Sequence, residues 1–424
     1  MNFRDFVDHL DKTGKLIKIK KPVSVKYEIA AIMKELDGKP VIFENVKGSK
    51  YKVVANVCST RDLVAEGTGI KKEDMIKVIA DAIDRPKKPK IVKGDYKQIE
   101  CDLGKLPILT HYPKDGGPYL SSAIVVINDK ELGLNASYHR MMVIGKDKVV
   151  IRILPRHLDE YIKRGNKQFA ICIGCPIQFL IAAGISCELG KSELSIANAL
   201  KEMNVIDLEG FLVPDSEIVM LAEITNEKAK EGPFVDLTEK YDIVREQSVV
   251  KIKRIYAKKD ALYHALLPGG LEHKLLMGMP REPTIFREVN KVCECKNVLI
   301  TPGGSSWLHA IVQIKKRNAD DGKKAIEAAF KGHHSAKHIV VVDDDINIYD
   351  MNDVEWAIAT RFQGDRDLVV KKEPGSSLDP SSDKETRMTT KLGLDATIPW
   401  DKPKEDFERA KIDFKVDLKK YIGG

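Results

Sequence analysis

The chain has 424 residues, enough for two or three domains of ~150 residues each and for a sizeable core. Hydrophobic residues make up 43% and charged residues 31%, an ordinary globular composition that excludes a disordered chain, with aromatics low at 6%. Seventy Lys and Arg against 63 Asp and Glu leave a net charge of +7, spread too thinly to mark a nucleic-acid partner and suited at most to anionic small molecules.

The first hundred residues alternate helical and extended patterns. Phe3, Phe6, Val7 and Leu10 recur at helical spacing, and Leu16 to Ile19 reads as a strand after the Gly14 break. Tyr27 to Leu36 and Met75 to Ile83 read as helices, with strands at Val41 to Phe43 and Val53 to Ala55. We expect an N-terminal α/β unit over 1–103. From 104 to 266 the texture turns β-rich, with strands at Ala123 to Ile127, Met141 to Ile144, Val149 to Ile153, Glu217 to Ile224 and Val249 to Ile255. Helices interpose at Arg156 to Arg164 and Pro176 to Ala183, so a β-barrel or sandwich fits better than a doubly wound sheet. Gly269 to Val292, with Pro280 and Pro283, reads as a connector, placed at 267–293. A C-terminal α/β domain over 294–390 has strands at Asn297 to Ile300 and His338 to Val342 and helices at Ala319 to Phe330 and Val354 to Phe362. Beyond residue 371 the composition is that of a tail, set at 391–424, with an amphipathic stretch at Phe407 to Ile422. The overall expectation is a mixed α/β, or α+β, chain.

The seven cysteines are odd in number and mostly scattered, which is not a secreted disulfide framework. The runs Phe169 to Ile173 and Phe179 to Ala183 fall far short of a ~20-residue membrane span. The N-terminus has no basic region followed by an apolar stretch. A cytoplasmic enzyme without membrane or nucleic-acid partners is expected.

Three groups of residues could carry chemistry. In Asn135-Ala136-Ser137-Tyr138-His139-Arg140, an Arg leading into apolar Met141 to Ile144 is either a solvent-facing strand edge or a paired group aimed into a site. Positions five apart on a strand face opposite ways, so Asn135 and Arg140 share a pocket only if a turn or bulge intervenes. In Glu231-Gly232-Pro233-Phe234-Val235-Asp236, the Gly-Pro pair bends the chain and lets two carboxylates point into one cavity, although an ordinary charged loop has the same composition. Two acids with an Arg between them form a proton-transfer device. Asn135, His157 and Glu193 make a mixed N/O set suited to Mn²⁺ or Mg²⁺, yet His157 also fits a surface helix start and Ser192-Glu193 a helix N-terminus. Cys172-Ile173-Gly174-Cys175 reads as buried structural thiols, and Gly303-Gly304 is only a weak phosphate-loop signal.

In this order the segments resemble the UbiD family of prenylated-flavin-dependent decarboxylases. The resemblance runs from Phe3-Arg4-Asp5-Phe6 and Gly14 to Ile19, through Gly117-Pro118-Tyr119-Leu120, to Val341 to Ile346 and Gly375 to Pro380. Its most specific parts are Asn-x-Ser-x-x-Arg at Asn135 to Arg140 and Glu-Gly-Pro-Phe at Glu231 to Phe234. It implies a middle split β-barrel that binds prenylated FMN. Arg140, Glu231 and Asp236 become the catalytic acid–arginine–acid network. Asn135, His157 and Glu193 become ligands of Mn²⁺ or Mg²⁺ at the flavin phosphate, with K⁺ as an additional ion. Ser137, Tyr138, His139 and the loop holding Ile173, Cys175 and Pro176 would lie near the cofactor, and Lys337 would meet the phosphate. Val235 and Asp236 depart from a common Gly-Glu in the family, which shortens the presumed proton donor by one methylene.

The resemblance also implies decarboxylation of an α,β-unsaturated acid, a flavin prenyltransferase as cofactor supplier, and a homo-oligomer formed through the C-terminal part. The compact, Lys-rich chain is similar to an archaeal branch acting on trans-anhydromevalonate 5-phosphate to give isopentenyl phosphate. The alternatives are a 4-hydroxybenzoate-type aromatic acid decarboxylase or carboxylase, and a non-catalytic flavin-binding subunit.

Overall fold

The computed structural model describes residues 1–410, 412 and 414–422, to which all elements and counts refer. Asn2 caps the first helix, Phe3–Lys12, by accepting the Asp5 N–H, and the helix buries Phe3, Phe6, Val7 and Leu10. Strands Ile17–Ile19, Val41–Phe43 and Lys52–Ala55 join Leu262–His264 in one four-stranded sheet, so the chain returns to the N-terminal unit after the middle sheet is built. Helices Glu28–Glu35 and Met75–Asp84 lie where the spacing placed them. A further helix, Arg61–Thr68, was not anticipated; Thr60 caps it and Gly69 ends it at φ +77°.

The middle of the chain forms a nine-stranded sheet around two long antiparallel strands, Ile218–Glu231 and Arg245–Ala257. Their register shifts between Leu221 and Ala222 and again between Ile224 and Lys228, irregularities that bend the strands. Gln168–Ile173, Ile124–Asp129 and Gly133–Tyr138 continue the sheet on one side. Lys148–Ile151, Met141–Val143 and Tyr119–Leu120 continue it on the other. The two ends do not pair among the described residues, which makes a split barrel. Alternation along the strands fills two cores: Val125, Ile171 and Met220 face one, and Val126, Cys172 and Val219 face the other. Strands Lys90–Val92 and Lys97–Ile99, which precede residue 103, pair with the middle strands Asn204–Leu208 and Arg245–Ala257.

Two expectations need correction. The segment read as a connector holds two helices, Leu271–Gly278 and Glu282–Val289, because Pro280 and Pro283 sit in the first turns of helical segments, where a missing N–H costs nothing. The tail beyond residue 371 contributes much of a five-stranded C-terminal sheet. Its order is Glu294–Ile300, His309–Lys315, His338–Asp343, Met388–Ala396, Leu368–Pro374. Lys391 hid the strand Met388–Ala396; it is buried, donates to the His334 carbonyl and pairs with Glu373. Helices Asp321–Gly332 and Met351–Arg361 cover the two faces of that sheet. Within the expected amphipathic stretch at 407–422, residues 411 and 413 lie outside the described residues, and the rest shows only short 3-10 turns.

Two buried carboxylates fix the inserted helices. Glu272 accepts the N–H groups of Asn56 and Cys58 and contacts His264, and Glu282 pairs with Arg61 and accepts the Ile300 N–H at 2.8 Å. The helix pair is thereby pinned to both the N-terminal and the C-terminal sheets. All seven cysteines are free, and no described helix is long and apolar enough to cross a membrane.

Candidate active site

The middle sheet, the helix pair and the C-terminal domain together enclose a cavity of about 800 Å³, in the upper part of the ~300–1,000 Å³ range of small-molecule sites. The strand Gly133–Tyr138 stops before His139, and the next begins at Met141. That break is the interruption that lets Asn135 and Arg140 line the same cavity.

Arg140 is the centre of a four-carboxylate-oxygen network. Its Nε donates to Glu231 Oε1 at 2.9 Å and its Nη2 to Glu231 Oε2 at 3.0 Å. Nη1 donates to Asp236 Oδ2 at 3.0 Å, and Nη2 also reaches Asp242 Oδ2 at 2.8 Å. The Arg140 guanidinium carbon lies 4.8 Å from the Phe234 ring centroid. Glu231 is the last residue of its long strand, fully buried, and also accepts the Tyr119 hydroxyl at 3.1 Å. Asp236 is 23% exposed, the most open of the three acids. Phe234–Val235 and Tyr241–Asp242 form a small hairpin, which brings Asp242 back beside Asp236. Burial alone would raise the Asp242 carboxyl, but hydrogen bonds from Arg245 and Arg140 outweigh it and hold it at about 2.

Asn135, His157 and Glu193 also meet. Asn135 Nδ2 lies 3.1 Å from Glu193 Oε1 and 3.4 Å from His157 Nδ1. Glu193 Oε2 accepts the Ala136 N–H at 2.7 Å, and Cys187 donates to Oε1 at 3.3 Å. Burial pushes the Glu193 carboxyl up to about 7, and burial with Arg156 lowers the His157 ring. Asn135 Oδ1 is buried and has no hydrogen-bond partner among the described residues. An orphaned amide oxygen, a neutral imidazole and a buried carboxylate without a cation are the donor set a hard divalent ion takes. The described residues hold no cluster of three or more His, Cys, Asp and Glu suited to a metal, and this set counts only two such side chains beside the amide.

Other expected residues divide. Ser137, Tyr138 and His139 line the cavity. Ser137 Oγ lies 3.0 Å from His139 Nε2, and His139 Nδ1 donates to the Arg152 carbonyl at 2.9 Å; burial holds the ring down at about 4. Ile173, Cys175 and Pro176 do not line the cavity: the first two are wholly buried in the cores, and Cys175 Sγ contacts Ser216. Lys337 is likewise off the wall, because Asp379 takes its ammonium at 2.9 Å.

Sequence reasoning missed Asp242, His273 and five arginines on the cavity wall: Arg152, Arg156, Arg245, Arg281 and Arg387. His273 Nδ1 accepts the Gly269 N–H at 3.0 Å, which places the proton of the neutral ring on Nε2; burial lowers its pKa. The Glu272-His273 pair, one residue after Gly269-Gly270, was a usable signal, passed over with the connector.

Comparison with known proteins points to one family. Models of the N-terminal, Rift-related and C-terminal domains of the UbiD family, described as 3-octaprenyl-4-hydroxybenzoate carboxy-lyase, match residues 7–83, 85–271 and 274–396. The anhydromevalonate phosphate decarboxylase of Methanocaldococcus jannaschii is 46% identical over 404 residues, covering 91% of this chain and 95% of that relative. The UbiD-class enzyme HmfF from Pelotomaculum thermopropionicum, solved in complex with FMN, superimposes with a TM-score of 0.94 at 36% identity over 100% of both chains. An evolved dimeric form of HmfF in complex with prFMN gives 0.90 at 34% identity, over 99% of this chain and 100% of that one.

Proposed function

Because the chain belongs to the UbiD family, we propose that it is a prenylated-FMN-dependent decarboxylase that converts trans-anhydromevalonate 5-phosphate to isopentenyl phosphate and CO₂. The observation that carries the reading is Arg140, held by Glu231 and Asp236, in one cavity with the Asn135, His157 and Glu193 donor set. When bound, prenylated FMN supplies the electron sink that takes up the C–C bonding electrons as CO₂ leaves. Asn135, His157 and Glu193 would hold Mn²⁺ or Mg²⁺ against its phosphate, with K⁺ as a companion ion, and Ser137, Tyr138 and His139 would wall the flavin.

Glu231, Asp242 and Asp236 occupy four of the five N–H donors of Arg140. The remaining donor is on Nη1, beside Asp236, and orients the substrate carboxylate. Glu231 fixes the guanidinium plane through its two parallel contacts. Asp236, the most exposed acid, delivers the proton that replaces CO₂ on the α-carbon and is recharged from solvent. Buried Phe234, Leu237 and Leu266 on the wall keep the carboxylate poorly hydrated, which favours its departure as CO₂. A flavin prenyltransferase supplies the cofactor, and a cytoplasmic homo-oligomer joined through the C-terminal domain completes the proposal.

The test is release of CO₂ and isopentenyl phosphate by protein co-produced anaerobically with a flavin prenyltransferase and supplied with Mn²⁺. Turnover that vanishes without the prenylated flavin supports the reading. Flavin binding without turnover of this acid rejects the substrate and redirects the search to aromatic acids.

A further inference from the structure

The proposed reaction brings two phosphate monoesters into one cavity, the flavin nucleotide and the acid, and the inference of a second anion site rests on that reading. Six arginines line the cavity. Arg140 and Arg245 have carboxylate partners. For Arg152, Arg156, Arg281 and Arg387, no carboxylate among the described residues lies within ion-pair distance.

Arg281 is the most exacting case. Its Nε is buried without a hydrogen-bond partner among the described residues, and its guanidinium carbon lies 5.3 Å from the Trp307 ring centroid. Burial and the charge of Arg156 lower its pKa to about 10. An unpaired guanidinium at a cavity wall, with a second one as its neighbour, is costly until an anion arrives.

The surroundings of Arg281 supply further donors. Ser376 is 5% exposed, and its Oγ accepts both Trp307 Nε1 and the Leu378 N–H at 3.1 Å. Both lone pairs are then in use, and the hydroxyl proton is left for another acceptor. The Arg387 carbonyl accepts the Gly375 N–H at 2.9 Å, tying Arg387 to the turn that carries Ser376.

We propose that Arg281, Arg156, Arg387 and Ser376 form a binding site for the phosphate monoester of the substrate. Apart from Arg156, these residues come from the helix pair and the C-terminal domain, whereas the proposed metal set comes wholly from the middle sheet and its helices. A flavin phosphate at the metal would have its charge met by the cation, which leaves these guanidiniums for a second anion. The site also accounts for Glu282: by pairing with Arg61 it anchors the start of the helix that follows Arg281 and keeps that guanidinium at the wall.

The test uses the flavin-loaded holoenzyme and Arg281→Met, which keeps the packing on Trp307, with Ser376→Ala as a second variant. Binding of inorganic phosphate is measured by calorimetry. KM is measured for trans-anhydromevalonate 5-phosphate and for the same acid without its phosphate, and flavin content by absorbance. The proposal expects phosphate binding and the affinity for the phosphorylated acid to weaken on the order of 10- to 100-fold in Arg281→Met, and less in Ser376→Ala. Flavin content and kcat/KM for the unphosphorylated acid should stay at wild-type values. Loss of flavin with an unchanged KM would assign the site to the flavin phosphate and overturn the proposal, as would equal losses for both acids. Arg281-dependent phosphate binding in an enzyme that does not turn over the phosphorylated acid would keep the site and reject the substrate. Absence of such binding in an enzyme that does turn it over would reject the site and keep the substrate.

Discussion

Glu231→Gln keeps the shape of the side chain that grips Arg140 and removes its charge, so its cost can be worked from the contacts. The carboxylate accepts Nε and Tyr119 on Oε1 and Nη2 on Oε2. A glutamine preserves one of the two guanidinium contacts as a neutral hydrogen bond and sets an NH₂ against Nη2, donor facing donor. Hydrogen bonds to charged groups contribute about 1.5–3 kcal/mol each. Arg140 is not stranded, because Asp236 and Asp242 still pair with it, so the loss should stay below the roughly 3–5 kcal/mol of a fully unpaired buried charge. A loss of about 2–4 kcal/mol in the transition state lowers kcat/KM on the order of 30- to 1,000-fold. The assay is CO₂ release by the holoenzyme, with urea unfolding followed in parallel. Wild-type turnover in Glu231→Gln would refute the assigned role. Loss of turnover together with a collapsed unfolding transition would show that Glu231 is structural instead.

Asp242→Asn removes the charge that Arg140 and Arg245 share, and should lower kcat about tenfold while leaving flavin content intact, since Glu231 still orients the guanidinium. A wild-type kcat would show that the fourth charge is idle. Metal retention should depend on pH through Glu193: its pKa is raised to about 7, so a bound proton competes with the metal below that value, and apparent affinity should fall about tenfold per pH unit there while flattening above it. Metal titrations between pH 5 and 8 that show no such slope would remove Glu193 from the ligand set. In Gly322→Ala the new Cβ would sit 2.1 Å from Asp395 Oδ2, a buried carboxylate already held by Thr397. Overpacking of about 1–3 kcal/mol outweighs the ~1 kcal/mol gain in helix propensity, so the urea midpoint should drop with activity per folded molecule unchanged; a midpoint at or above wild type would contradict the clash.

What was legible in the sequence came from local signals. The helix Phe3–Lys12 and the strand His338–Asp343 announced themselves through apolar spacing, and the Gly232-Pro233 bend through its backbone chemistry. Asp242 carried no such signal. It reaches Arg140 only because a hairpin pairs it with Phe234, and register across a turn of that length is a tertiary fact. His273 and Arg281 were passed over because two prolines read as helix breakers, although proline is tolerated in a first helical turn. The strand His309–Lys315 did show alternation, with Ala310, Val312 and Ile314 turned to one core, and could have been found. Met388–Ala396 could not, since its inward positions include Thr389 and Lys391, whose burial depends on partners distant in the chain.

The Val235-Asp236 departure is explained by the same hairpin. An aspartate is one methylene shorter than the family's frequent glutamate, yet its carboxylate still meets Arg140 at 3.0 Å. Val235 is buried and pairs with Tyr241, and Phe234 lies beneath the guanidinium, so the two-residue strand is drawn against the cavity wall. The Leu237 N–H then holds Asp236 Oδ1 at 2.8 Å and leaves Oδ2 for the arginine. An aspartate held by both Arg140 and the Leu237 N–H has less rotamer freedom than a longer glutamate, which favours a group that must meet one atom. Asp242, entering from the other arm of the hairpin, adds a further negative charge against Arg140, so the guanidinium keeps carboxylate partners on Glu231 and Asp242 if Asp236 takes up a proton.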